Sequence, residues 1–225
     1  MTTTEINNHQ IAIDGPAGSG KSTVAKLVAN KLNFNYLSTG KMFRAFYYLM
    51  NLNNWSVDQL LNNYHTYQFE FNGDQVKIDN KNVSEALNEL KISMGASEIA
   101  QNDKIRKLAL ELQQDYASKK PVVMDGRDIT SIVLPNAILK IYLTASAKQR
   151  AIRRIKQLNL ELTDEKIEEF SNEIAKRDYN DANRKLAPLI IVDDAVVIDS
   201  DNLTIDDVVN QIVSLYKKRL EVNNA

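Results

Sequence analysis

The sequence predicts an α/β fold: a parallel sheet flanked by helices, with a small antiparallel β insert and a helical lid. Three observations predict it. Short apolar, β-branched runs alternate with longer stretches at helical spacing, the pattern of a parallel sheet covered on both faces. The first run, Ile11-Ala12-Ile13, passes through a glycine-rich turn directly into a helix pattern. A single stretch from Tyr67, "YQFEFNGDQVKIDNKNVSEAL", instead alternates residues around turn signals, as a hairpin does.

Taken in order, "IAI" is a buried strand, and "STVAKLVANKL" is a helix with Val24, Leu27, Val28 and Leu32 on one side. "FNYLSTG" is a short second strand entering a loop. "KMFRAFYYLMNL" is a helix with Met42, Phe46, Leu49 and Met50 on one side. The insert has "QFEF", a turn at Asn72-Gly73-Asp74, "QVKID", a second turn at 79–82 and a third short strand at "NV". Residues 85–118 form two helices meeting near Gln101-Asn102-Asp103. "PVVMDGRD" is a strand with Pro121 at its edge and polar residues at its carboxyl end, and "AILKIYLTA" is another buried strand. "SAKQRAIRRIKQL" begins a basic helix. "TDEKIEEFSNEIAKRDYNDANR" is a long polar one, N-capped by Thr163 and acidic in its first turn. "AVVIDS" is the last strand and "TIDDVVNQIVSLYKKRL" the C-terminal helix.

The composition excludes several function classes. The 225 residues are 44% hydrophobic and 25% charged, as in an ordinary globular chain. The net charge of −1, from 28 basic and 29 acidic residues, argues against a general nucleic-acid binder. With no cysteine there is no disulfide, thiolate metal site or cysteine nucleophile. "MTTTEINNHQ" lacks the charged and apolar regions of a signal peptide. No apolar run approaches membrane-spanning length. The expectation is a cytoplasmic monomer acting on small molecules, with no nucleic-acid or membrane partner.

Gly15, four residues, then Gly20-Lys21-Ser22 match G-x-x-x-x-G-K-[ST], the phosphate-binding P-loop, in the required strand–turn–helix context. Consecutive N–H groups of such a loop curl around an anion, and the helix N-terminus adds partial positive charge. Lys21 can reach the β- and γ-phosphates, and the Ser22 hydroxyl can ligate Mg²⁺. The bland reading is a glycine-rich turn with an exposed lysine. Other polar clusters should converge at the carboxyl ends of the strands: Ser38-Thr39-Gly40 with Arg44, and Asp125-Gly126-Arg127-Asp128. Arg150, Arg153 and Arg154 share a helix face, as do Arg177, Asp181 and Arg184. Taken singly, these basic groups read equally well as a solvated arginine, an exposed basic face and a surface ion-pair ladder. Together they suit a reaction with several phosphates, since guanidinium forks bind phosphate oxygens. His9 and His65 form no competing constellation.

The motifs "IDGPAGSGKST", "STGKMFR", "ASEIAQNDKIR", "VVMDGRDI", "RDYNDANRKLAPL" and "AVVIDS" resemble those of the bacterial cytidylate kinases. These are the (d)CMP kinases of the nucleoside monophosphate kinase group, with a P-loop NTPase fold. The resemblance runs from about Ile11 to Leu220. It implies one kinase domain over 1–225, with a monophosphate-binding insert at about 40–95 (β part about 67–84) and a lid at about 146–163. It implies Mg²⁺-assisted transfer of phosphate from ATP to CMP or dCMP. Gly15, Pro16, Ala17, Gly18, Ser19, Gly20, Lys21, Ser22 and Thr23 would hold ATP phosphates, with Arg150, Arg153 and Arg154 in the lid. Thr39, Arg44 and Arg127 would contact the CMP phosphate, beside Asp125 and Gly126. Ser97, Arg106 and Asp128 would read cytosine, and Arg177 and Asp181 the ribose. Arg184 would reach toward phosphate and base. Lys21, Arg127, Arg154 and Arg184 would carry the transferring charge. Phe43, Asn180 and Ala182 depart from the pattern of the resemblance. The alternatives are a P-loop kinase for another small acceptor such as UMP, and a nucleotide switch or nucleic-acid ATPase.

Overall fold

Gln10–Asp14 (β1) is the centre of the molecule because every residue in it is buried. The computed structural model describes residues 9–72 and 75–223. The N-terminal stretch 1–8 and Gly73-Asp74 of the expected hairpin turn lie outside the described residues.

β1 leads through the glycine turn to Lys21–Leu32 (α1), then Asn35–Ser38 (β2) and Thr39–Asn53 (α2). Asn33 and Asn54, in left-handed conformation at φ 56° and 53°, end these two helices. The insert follows: Val57–Asn63 (α3), strands Phe69–Asn72 (β3), Gln75–Ile78 (β4) and Lys81–Asn82 (β5), and Leu90–Ile99 (α4). Asp103–Lys119 (α5), Val122–Gly126 (β6), Leu139–Thr144 (β7), Ala147–Gln157 (α6), Asp164–Asn183 (α7), Val196–Asp199 (β8) and Ile205–Asn223 (α8) complete the chain.

The large sheet has the order β2-β6-β1-β7-β8, and all its pairings are parallel. Alternation along its strands divides the core in two. Ile11, Ile13, Tyr36, Val123, Leu139 and Ile141 pack under α1 and α8, with Val28, Val208 and Ile212. Ala12, Leu37 and Met124 face the other way, toward Phe46, Leu49, Leu60, Ile92 and Ile105 of the insert side. Burying both faces forces the crossover connections and puts every loop after a strand at one edge. The small sheet β3-β4-β5 is antiparallel, as its alternation predicts.

Four local details differ from the sequence reading. The third insert strand lies one residue early, at Lys81–Asn82. α3 was not expected. Its signal is a capping box: Gln59 N donates to Ser56 Oγ at 3.3 Å and Ser56 N to Gln59 Oε1 at 2.8 Å. A π-helical turn, Ile129–Val133, follows β6. Lastly, α7 stops at Asn183, and Arg184 is extended at φ −66°, ψ 143°. The chain doubles back there, and Leu189 N caps the Asp181 carbonyl at 2.9 Å.

Candidate active site

The P-loop is a backbone cradle that only glycine can complete at two points. Gly15 has φ 149°, and a Cβ there would lie 2.0 Å from the Leu143 carbonyl oxygen. Gly20, at φ 91°, is the N-cap of α1. Lys21 is not an exposed lysine. It is 5% exposed and folds back over its own loop, Nζ donating to Pro16 O at 2.6 Å and Ser19 Oγ at 3.3 Å. Burial, then repulsion from Arg127, lowers its pKa well below the usual lysine range.

Ser22 Oγ donates to Asp125 Oδ2 at 2.8 Å, joining the start of α1 to the end of β6. The buried Tyr36 hydroxyl donates to the other oxygen, Oδ1, at 2.7 Å, and Thr39 Oγ1 to the Asp125 carbonyl at 2.9 Å. A hydroxyl and a carboxylate are the hard oxygen ligands Mg²⁺ takes, so this pair fits that ion. No group of three or more His, Cys, Asp or Glu is arranged to hold a metal among the described residues.

One strand-width away, β6 ends in the second cluster. Arg127 Nε donates to Asp181 Oδ2 at 2.7 Å, and Arg106 ion-pairs with Asp128. Arg184 Nη2 stands 3.6 Å from Asp128 Oδ1 and is a buried donor without a hydrogen bond among the described residues. A buried donor left unused is uncommon and is satisfied when an acceptor arrives. Arg106 and Asp128 border a cavity of about 240 Å³, with Phe43, Gln113, Leu186 and Ala187. Phe43, with no hydroxyl to offer, lies 5.9 Å from the Arg106 guanidinium at its ring centre.

Arg44 donates to Leu87 O at 3.3 Å and Ser93 Oγ at 3.2 Å, so it is tied to the insert. Burial, then repulsion from Arg154, lowers its pKa. Arg177, expected beside Asp181, is an exposed residue at the cleft, and the Asp181 carboxylate pairs with Arg127. Desolvation at the cleft mouth, then Arg127, lowers the Arg177 pKa, and Arg44 and Arg154 add to it. Guanidiniums that repel one another around a cleft make a field that an anion relieves. Ser97 faces solvent on α4, its hydroxyl bonded to Ser93 O at 3.2 Å. Thr23, Asn180 and Ala182 are exposed.

The three arginines of α6 do not act alike. Arg150 is 6% exposed; it donates to Ala145 O at 2.8 Å and Ala17 O at 3.0 Å, and pairs with Asp178 at 2.5 Å. Arg153 donates to Ser200 O at 2.7 Å and Ser19 O at 3.3 Å. Both brace the P-loop from below. Arg154 alone faces solvent, with Gln157 as its hydrogen-bond partner at 3.0 Å.

Sequence reasoning missed three members of the site. Asp178 accepts from the P-loop amide of Ala17 at 3.3 Å as well as from Arg150. Tyr36 orients Asp125. Asp14 is fully buried beneath the loop and accepts from Thr130. A polar residue closing a buried strand, as Asp14 does, was the available signal.

Residues 11–218 match the family model described as cytidylate kinase. The chain is 70% identical over 223 residues to a cytidylate kinase of Mycoplasmoides gallisepticum, covering 99% of this chain and all of that one. It is 45% identical over 215 residues to one of Ureaplasma urealyticum, covering 94% and 96%. A solved structure of an uncharacterized protein from Eubacterium ventriosum shares the fold at TM-score 0.52 and 15% identity, covering 93% of this chain and 98% of that one. With its P-loop, its arginine-lined cleft and a match along nearly its whole length, this chain belongs to the cytidylate kinase family.

Proposed function

We propose that this protein transfers the γ-phosphate of ATP to CMP and dCMP. One observation carries the reading. Two cationic sites of different chemistry end adjacent paired strands: a P-loop after β1, and the Arg106–Asp128–Arg184 and Arg127–Asp181 groups after β6. The first suits a polyphosphate. The second suits a cytosine nucleotide, whose N4 amino group a carboxylate accepts and whose N3 and O2 an arginine satisfies.

The chain's own groups supply position and charge, and no general base is required for a loose in-line transfer. P-loop amides and Lys21 take the ATP phosphates. Thr39, Arg44 and Arg127 take the acceptor phosphate. Asp128 and Arg106, with Ser97, read the base, while Arg177 and Asp181 hold the ribose. Arg154 and Arg184 close the charge around the transferring group. Ser22 and Asp125 would hold Mg²⁺ together with the nucleotide, and the ion would supply further neutralisation of phosphate charge. The insert at about 40–95 serves the acceptor, and the segment at about 146–163, which carries Arg154, serves ATP. The enzyme works as a cytoplasmic monomer; no described helix is long and apolar enough to cross a membrane.

The test is ADP formation with CMP, dCMP, UMP and AMP, with and without Mg²⁺, and with RNA or DNA in place of the acceptor. Rapid Mg²⁺-dependent turnover with CMP and dCMP is expected. Faster turnover with UMP or AMP than with CMP overturns the acceptor assignment. ADP release driven only by nucleic acid overturns the reaction class.

A further inference from the structure

We infer that Asp14 is a positioning residue for acceptor selection: from the end of the ATP-loop strand, it clamps both ends of the Arg127-Asp128 segment. The inference rests on the acceptor reading above.

Asp14 is 0% exposed. Its Oδ1 accepts from Ile129 N at 3.0 Å, and its Oδ2 from Thr130 N and Thr130 Oγ1, both at 2.7 Å. No cation is among these partners. Burying a carboxylate is expensive, and here three donors offset the cost, each of which an apolar side chain would leave unsatisfied. The chemistry asks for an acceptor with two oxygens. Ile129 and Thr130 open the π turn, whose own bonds run from Leu134 N to Ile129 O at 2.8 Å and from Val133 N to Asp128 O at 3.1 Å. Its first amides have no partner within the turn, so Asp14 caps it from another strand.

The sheet register supplies the other end. Asp14 and Gly126 are paired partners where β1 meets β6. Gly126 is thus fixed in register beside Asp14 by the sheet, and Ile129 and Thr130 are held by the Asp14 carboxylate. Only Arg127 and Asp128 lie between. Asp128 sits at φ −138°, ψ 22°, outside both strand and turn. The direction of its carboxylate toward Arg106 and Arg184 follows from those two anchors. π turns of this kind concentrate at functional sites. A shift of the second anchor would misalign the base-reading and phosphate-binding side chains together, and leave the P-loop itself in place.

The experiment compares Asp14→Asn, Thr130→Val and Thr130→Ser with the parent chain. Asp14→Asn keeps the shape and sets an amide donor against N–H or O–H donors. Thr130→Val removes one donor only, and Thr130→Ser restores it. The measurements are kcat/KM for the parent's two best monophosphate acceptors, their dissociation constants by calorimetry without ATP, the ATP KM and the melting temperature. Asp14→Asn should reduce the selectivity between the two acceptors about tenfold or more, with the ATP KM within about threefold of the parent. Thr130→Val should move it about threefold in the same direction, and Thr130→Ser should return it. Selectivity and acceptor binding within about twofold of the parent, with only the melting temperature lowered, overturn the inference and leave Asp14 a structural cap. If Asp14→Asn does not fold, the Thr130 pair decides: equal selectivity for Val and Ser overturns it. Because the ratio uses the parent's own best acceptors, a parent that prefers another nucleotide refutes the cytidylate reading without deciding the role of Asp14.

Discussion

Asp181, on α7, accepts a hydrogen bond from Arg127 Nε, just beyond β6, at 2.7 Å. The pair joins a residue assigned to the acceptor phosphate with one assigned to the ribose, and both side chains are about one-fifth exposed, at 19% and 20%.

Asp181→Ala should therefore lower kcat/KM for CMP and dCMP alike, and for CMP further. The common part is the loss of Arg127's orientation. The difference is a carboxylate bond to the 2′-hydroxyl that dCMP lacks, and a charge-assisted bond is worth about 1.5–3 kcal/mol. Steady-state kinetics on both substrates checks it. Equal losses would remove Asp181 from the 2′-hydroxyl and leave it as the holder of Arg127.

Lys21→Ala should cost at least about 10²-fold in transfer rate. In the ATP-free protein it should not cost stability, because the Lys21 ammonium is buried and its pKa lowered. For a base with a lowered folded pKa, the unfolded chain binds more protons, so stability rises with pH up to the unfolded value of about 10.4. Denaturant unfolding of parent and variant across that window should show the parent gaining on the variant as pH rises. A parallel pair of curves contradicts the burial argument.

Arg150→Ala and Arg154→Ala should separate bracing from charge supply. Removing Arg150 leaves the P-loop carbonyl of Ala17 without its side-chain donor and Asp178 without its cation, with only the Ala17 amide left to it, a loss of about 3 kcal/mol in unfolding free energy. Removing Arg154 should change stability by less than about 0.5 kcal/mol. It should nevertheless lower kcat about 10²-fold, as loss of a group stabilising transition-state charge does. Denaturation midpoints and kcat for the two variants measure both effects.

Gly15→Ala should be among the most damaging small substitutions. The new methyl would lie 2.0 Å from Leu143 O, at a φ of 149°. Backbone of β1 and β7 must part to admit it, at about 3 kcal/mol or more. A denaturation midpoint close to the parent's would contradict the loop geometry.

Local sequence signals sufficed for the strand–loop–helix entry, the alternation that makes a parallel sheet, the antiparallel insert and the P-loop residues. Each rests on local periodicity or on φ angles only glycine adopts, and such signals are complete within a dozen residues. The sequence also brought the right charged residues to the strand ends, because parallel crossovers leave one edge for all the loops. Which charge meets which depends on how distant elements pack. Asp181 was one helical turn from Arg177 in sequence, yet pairs with Arg127, 54 residues away. Arg150 and Arg154 share a helix face, yet one is locked under the P-loop and the other is in solvent. Arg184 left the helix that periodicity assigned it, because Leu189 returned to cap Asp181. Asp14 stood out in the sequence only as a polar residue closing an apolar strand, and the fold made it the anchor of Thr130. The reason is physical: a side chain's partner is set by packing between elements far apart in the chain, while its residue type and helical phase carry only local information.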